Sequence, residues 1–219
     1  MKLRNRILLV CLASCCPLTG RAGAGGPMPS PALQSRLAIE SGNKLREKKE
    51  FDSALLAYQG AVRLQPRNSN AWFYLGITYA HLGRLEESRA SFKRSVLSGG
   101  GDPTAWMGLC LSNYLLGDFG NAVHTCEEAL RLDPKQGDAW AWMGLGYAHL
   151  REGNKSLLCL EVATALGTKS SEAWYFLGMR YARQGRRTKV LEAYRRLQEL
   201  DPSQARKFFN VAVSPQTRG

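Results

Sequence analysis

Four tryptophans, Trp72, Trp106, Trp140 and Trp174, stand 34 residues apart, and each follows an alanine: Ala71, Ala105, Ala139 and Ala173. A large residue recurring at a fixed interval of this length marks stacked supersecondary units, each able to bury its apolar face only against its neighbours. Laid from Ser35, a 34-residue frame gives five units without gaps: 35–68, 69–102, 103–136, 137–170 and 171–204. Pro66, Pro134 and Pro202 close the first, third and fifth units, where proline stops a helix from continuing. The second and fourth end instead in Gly99-Gly100-Gly101 and Gly167-Thr168 and share the run Tyr-Ala-His-Leu, as a duplicated two-unit block would.

The segment from Ala71 to Gly83, AWFYLGITYAHLG, is apolar on two helical faces. Trp72, Leu75, Gly76 and Tyr79 form one stripe at i, i+3, i+4 and i+7, and Phe73, Tyr74, Ile77 and Ala80 form another. A helix apolar all round is either buried or spans a membrane, and this run is far short of the ~20 residues that spanning needs. Some second surface therefore has to meet the second stripe.

These residues resemble the tetratricopeptide repeat, a two-helix hairpin with a large residue at position 4, Leu-Gly at 7 and 8, Tyr at 11, Ala at 20 and 27, an aromatic at 24 and Pro at 32. The second unit supplies Trp72, Leu75, Gly76, Tyr79 and Phe92, and the fifth Trp174, Leu177, Gly178, Tyr181, Tyr194 and Pro202. The first keeps Gly42, Ala54, Tyr58, Ala61 and Pro66 but lacks the tryptophan. The third departs with Cys110 at position 8 and Asn113 at 11, and the fourth with Ser156 at 20 and Leu160 at 24. The resemblance implies an all-α chain, an α-solenoid of five tandem hairpins, with Trp and Tyr at positions 4 and 11 in the core. Residues 205–219, which include ARKFFNVAV, would add a short capping helix and tail.

In such a solenoid the first helix of each hairpin lines a concave surface. The resemblance places Phe73, Tyr74, Ile77, Met107, Leu111, Tyr114, Trp142, Leu145, Tyr175, Phe176 and Met179 there. An apolar concavity marks a binding surface, and aromatics with methionine suit an apolar peptide or amphipathic helix. The alternative occupant is the chain's own tail.

The first residues combine basic Lys2, Arg4 and Arg6 with the apolar run Ile7 to Leu12 and then small residues, the pattern of an export signal. Leu12-Ala13-Ser14-Cys15 resembles the lipobox of bacterial lipoproteins, which implies a signal peptide over 1–14, lipidation at Cys15 and a flexible tether over 15–34. Cleavage after Ala22-Gly23-Ala24 is the alternative and would give a soluble periplasmic or secreted protein. Beyond the leader lie Cys110, Cys126 and Cys159, an odd number in helical patterns, read as small buried thiols in preference to a Cys110–Cys126 bridge.

No catalytic constellation appears in the sequence. His81 and His149 recur at position 13 of two units, His124 has no partner at ligand spacing, and the glycine triplet lacks the Lys-Ser/Thr of a phosphate loop. No enzyme activity, cofactor or metal is expected. Of the +12 formal charge, a large share sits between Gly178 and Gly219, where ten Lys or Arg, among them Arg180, Arg183, Arg186, Arg187, Arg195 and Arg196, stand against Glu192, Glu199 and Asp201. Such a surface suits an acidic partner or anionic lipid, and export argues against nucleic acid. The expected function is a protein-interaction scaffold, anchored at the bacterial envelope and facing the periplasm. It is similar to the repeat lipoproteins that assist envelope assembly, such as type IV pilus pilotins; a periplasmic holdase is the alternative.

Overall fold

The computed structural model describes residues 29–99 and 101–214. The export signal, Cys15 and the candidate cleavage site lie outside the described residues. Ten helices pair into five hairpins: α1 (Pro31–Glu47) with α2 (Phe51–Leu64), α3 (Ser69–His81) with α4 (Leu85–Gly99), α5 (Pro103–Leu115) with α6 (Phe119–Leu132), α7 (Gly137–His149) with α8 (Gly153–Ala165), and α9 (Ser171–Arg183) with α10 (Arg187–Leu200). A short α11 (Pro202–Phe208) follows and runs into a π-helical turn, Phe209–Val213. The described residues contain no strand.

Local chemistry sets the helix ends. Ser30, Asn68, Asp102, Asp118, Ser170 and Asp201 each accept a backbone N–H of the first helical turn, satisfying donors that would otherwise be orphaned. Within every hairpin the turn passes through one residue of positive φ, always at position 15: Lys49, Gly83, Gly117, Arg151 and Gly185. Glycine meets that demand at no steric cost, whereas Lys49 and Arg151 hold φ of 62° with a side chain attached.

One contact joins the two helices of the first four hairpins. A Cβ built on Gly42, at position 8, would lie 2.6 Å from the ring of Tyr58 at position 24. On Gly76 it would lie 3.0 Å from Phe92, and on Gly144 2.9 Å from Leu160. Only a bare backbone lets these side chains close the hairpin. The third unit reaches the same closure differently: Cys110 and Cys126 hold positions 8 and 24, and they form a disulfide with their Cα atoms 5.2 Å apart. The expectation of free thiols there is corrected. Facing positions of one hairpin bring the two sulfurs together although both lie within helices. In the fifth unit Tyr194 turns outward against Phe209, ring centres 5.4 Å apart, and Phe208 covers Gly178 instead. Phe208 is completely buried, so α11 and its π turn cap the stack against α9 and α10.

The tryptophans are less uniformly buried than the core reading expects. Trp174 is buried, but Trp72, Trp106 and Trp140 are half-buried. An indole N–H needs a partner: Trp72 donates to the Pro66 carbonyl at 2.8 Å, Trp140 to Pro134 at 2.9 Å and Trp174 to Thr168 at 3.4 Å. Each ring thus fastens the turn that enters its unit. Position-11 tyrosines tie consecutive units: Tyr147 donates to Glu127 at 3.1 Å, Tyr181 donates to Glu161 at 2.9 Å, and Tyr79 accepts from Gln59 at 3.1 Å.

Successive first helices α1, α3, α5, α7 and α9 touch one another, while the second helices make no comparable contact among the described residues. The stack therefore curves with its first helices on the inside.

Two stability outcomes follow. Cys110 and Cys126 should resist alkylation until reduced, and reduction should remove about 3 kcal/mol in urea unfolding, the loop-closure value for a ring of this size. Cys159, buried and with its thiol pushed up to about 11 by that burial, should label only on denaturation. Second, Lys49→Gly should raise stability by about 0.5–1 kcal/mol, because relief of left-handed strain exceeds the added freedom of the unfolded chain.

Candidate protein-binding groove

The inner surface is built from positions 5, 6, 9 and 12 of the first helices. Phe73, Tyr74, Ile77, Met107, Tyr114, Trp142, Tyr175 and Met179 are half-buried there, each with one side on the core, and Leu111 is half-buried beside them. Phe176 stands out furthest, at 40% exposure. Leu145 differs from its expected place. It is fully buried among Leu160, Ala173 and Leu177, because the small neighbours Gly144 and Gly146 let α7 sink against the adjacent helices, and it offers nothing to the groove.

The aromatic rings form two connected sets. Over units one and two, Tyr74 stacks on Tyr58 at 5.7 Å, Phe73 meets Tyr74 edge-on at 5.4 Å, and the Arg46 guanidinium lies 5.6 Å over the Tyr74 ring. Over units three to five, Trp142 packs on Tyr114 at 5.1 Å; Tyr114 reaches His149, ring centres 5.7 Å apart, and His149 approaches Phe176 at 6.5 Å. Ile77, Met107 and Leu111 lie between the two sets in the helix order, so the inner face is apolar from α3 to α9.

Some groove residues carried no mark in the sequence reading. Phe119 stacks flat on His149, ring centres 4.0 Å apart, and Phe51 stacks on His81 at 4.7 Å. Each is position 17 of one unit lying against position 13 of the next, and both pairs are 30 residues apart in sequence. They recur at the first-to-second and third-to-fourth junctions, the pattern a two-unit block would produce.

Tyr114 is the most perturbed groove residue. Burial first, and then the nearby Glu172 charge, push its hydroxyl up to about 12. One Glu172 carboxylate oxygen is buried without a partner. A tyrosine kept neutral in the fold binds its proton more tightly than it does in the unfolded chain. Its contribution to stability is therefore complete below pH ~10 and lost as pH rises towards 12. Replacing it by Phe should flatten the alkaline limb of a stability–pH curve over that window, read by urea midpoint.

The basic residues of the fifth unit do not form one patch. Arg186 lies 4.8 Å over the Tyr181 ring and 3.9 Å from Glu161, and Arg196 pairs with Glu199 at 2.9 Å. Arg187 and Arg195 are exposed on α10. Arg180 and Arg183, on α9, instead line a cleft of about 380 Å³ between units four and five, together with Arg151.

Among the described residues no group of three His, Cys, Asp or Glu could hold a metal ion, and no helix is long and apolar enough to cross a membrane.

The tetratricopeptide repeat family matches residues 40–105 and 116–157, and again 171–204. The chain belongs to that family. Its repeats are protein-interaction scaffolds, generally without catalytic activity. Superkiller protein 3 of Schizosaccharomyces pombe is 32% identical over 91 residues, 40% of this chain but 6% of that protein. Among solved structures, MamA from Desulfovibrio magneticus RS-1 superposes with a TM-score of 0.66 at 17% identity, covering 78% of this chain and 97% of that one. YrrB, described as a repeat protein with an unusual peptide-binding site, gives 0.62 at 20%, covering 80% and 91%. Pseudomonas aeruginosa pilF gives 0.67 at 11%, covering 78% of each chain. At these identities the structures share the fold.

Proposed function

We propose that this repeat protein is a non-catalytic scaffold of the bacterial envelope, exported and anchored through a lipidated Cys15, that holds an apolar or amphipathic segment of an envelope protein in its concave groove. The observation that carries the reading is the apolar inner face from Phe73 to Met179. Half-buried aromatic side chains are already ordered by the core on one side, so a ligand gains contact without freezing many rotamers. An amphipathic helix offers the matching stripe.

The Cys110–Cys126 bridge fits an oxidising compartment, where disulfides persist. That agrees with the basic, apolar and small-residue order of the first residues. YrrB, described as having an unusual peptide-binding site, offers a precedent for peptide binding on this fold. Palmitate labelling that disappears in Cys15→Ala, with release from the membrane fraction, would support the anchor; unchanged association would favour cleavage after Ala24.

Truncations divide the groove from the rest. Tyr74→Ala, Leu111→Ala and Phe176→Ala should each weaken the same envelope partner, the aromatic ones by about 2 kcal/mol as anchors. Arg195→Gln, on the exposed side of α10, should alter only the association rate and its salt dependence. Binding measured at two salt concentrations, with folding verified by circular dichroism, reads both. Groove variants that bind like wild type would end the groove reading, and capture of many unfolded clients with no saturable partner would favour the holdase.

A further inference from the structure

The stacked position-17 and position-13 rings that close the first-to-second and third-to-fourth junctions have no counterpart between units four and five. Phe51 stacks on His81 and Phe119 on His149 at their junctions; at the second-to-third junction the same positions hold Leu85 and Leu115. At the fourth-to-fifth junction they hold Gly153 and Arg183. With no side chain at position 17, the space between α8 and α9 stays open as the 380 Å³ cleft, floored by Leu157 and Leu160 and reaching Phe176 and Met179 on the groove. A cavity of about 150 Å³ suffices for a benzene ring, so this one has room for a phenyl group and its neighbours.

Its charge is one-sided. Arg151, Arg180 and Arg183 line it, none of them in an ion pair among the described residues, and the Arg180 guanidinium reaches to 3.1 Å from where a Gly153 Cβ would stand. The chain's own terminal segments do not suit it: residues 15–28 carry Arg21 and neither an acid nor an aromatic ring, and 215–219 carry Arg218 and no aromatic ring.

We propose that this cleft receives an aromatic side chain of the partner segment, taking the place of the missing position-17 phenylalanine, with an adjacent Asp or Glu of that segment held by Arg180 and Arg183. The inference rests on the groove reading and adds to it: the apolar segment lies along the inner face and ends, at unit five, in an aromatic residue followed by acid. Planar guanidinium groups grip carboxylates in a two-pronged fashion, and the apolar floor excludes the water that would weaken the pair.

Gly153 makes the test direct. A Cβ there meets only the flexible tip of Arg180, so Gly153→Phe should fold and fill the cleft with the repeat's own ring. The probes are three fluorescein-labelled peptides with one amphipathic Leu/Phe sequence, ending in Phe-Glu-Glu, Phe-Gln-Gln or Ala-Glu-Glu, titrated against the full chain by anisotropy. The Phe-Glu-Glu peptide should bind at least tenfold more tightly than either other. That preference should vanish in Gly153→Phe and in Arg180→Gln/Arg183→Gln, with circular dichroism unchanged. Equal binding of the three peptides, still weakened by Trp142→Ala, would overturn the cleft and leave the groove. Absence of saturable binding by any peptide would overturn both. Phosphatidylglycerol vesicles bound by wild type and lost in the arginine variants, without a peptide preference, would reassign the arginines to lipid.

Discussion

Closure of each hairpin over position 8, by position 24 in the first four units and by the cap in the fifth, is the contact on which the stack depends. A glycine under a large side chain brings the two helices near enough for the rest of the hairpin to dehydrate, and a hairpin so closed presents a flat face to its neighbours. The variety of solutions shows how firmly the geometry is required. Units one and two place Tyr58 and Phe92 over glycine, unit four manages with Leu160, and unit three replaces contact by the covalent Cys110–Cys126 bridge. At the open end the cap supplies Phe208 to Gly178, and the unit's own Tyr194 turns aside, half-buried against Phe209. The cap is thus an exchange of rings, and it protects the terminal face that a solenoid cannot leave apolar.

Curvature follows from the same packing. First helices lie close to one another while second helices spread, so the second apolar stripe of α3, α5, α7 and α9 turns to the inside of the curve. Its rings lean on the core without being enclosed by it. A second layer of contacts at the inner edge, Phe51 with His81 and Phe119 with His149, closes alternate junctions, and where glycine interrupts that layer a basic cleft opens. Irregularity at one junction is what gives an otherwise periodic surface a distinct end.

Much of this was legible in the sequence because a fixed period converts residue spacing into spatial position. The tryptophan interval, the prolines and the position-8 glycines are enough for the hairpins and the order of the stack. The disulfide was legible in principle as well: Cys110 and Cys126 occupy the two positions that touch in units one, two and four, but reading them as residues within helices hid that they face each other across one hairpin. Leu145 was misplaced for a comparable reason. Position in the frame assigns a side chain to the inner face, whereas the depth of its helix depends on the glycines beside it, a local property the period does not carry. The Phe119–His149 stack and the cleft beside Gly153 depend on pairs drawn from consecutive units, which become visible only when junctions are compared with one another.

Site-specific photo-crosslinking in intact cells measures the central claim most directly, since it asks which face of the folded chain meets a partner. Benzoylphenylalanine placed at Tyr74, Leu111 or Phe176 on the inner face should give one adduct of the same mass. The same probe at Leu97 or Leu158, both well exposed on second helices, should give none. Adducts arising from Leu97 and Leu158 while the inner positions stay silent would contradict the groove as the working surface.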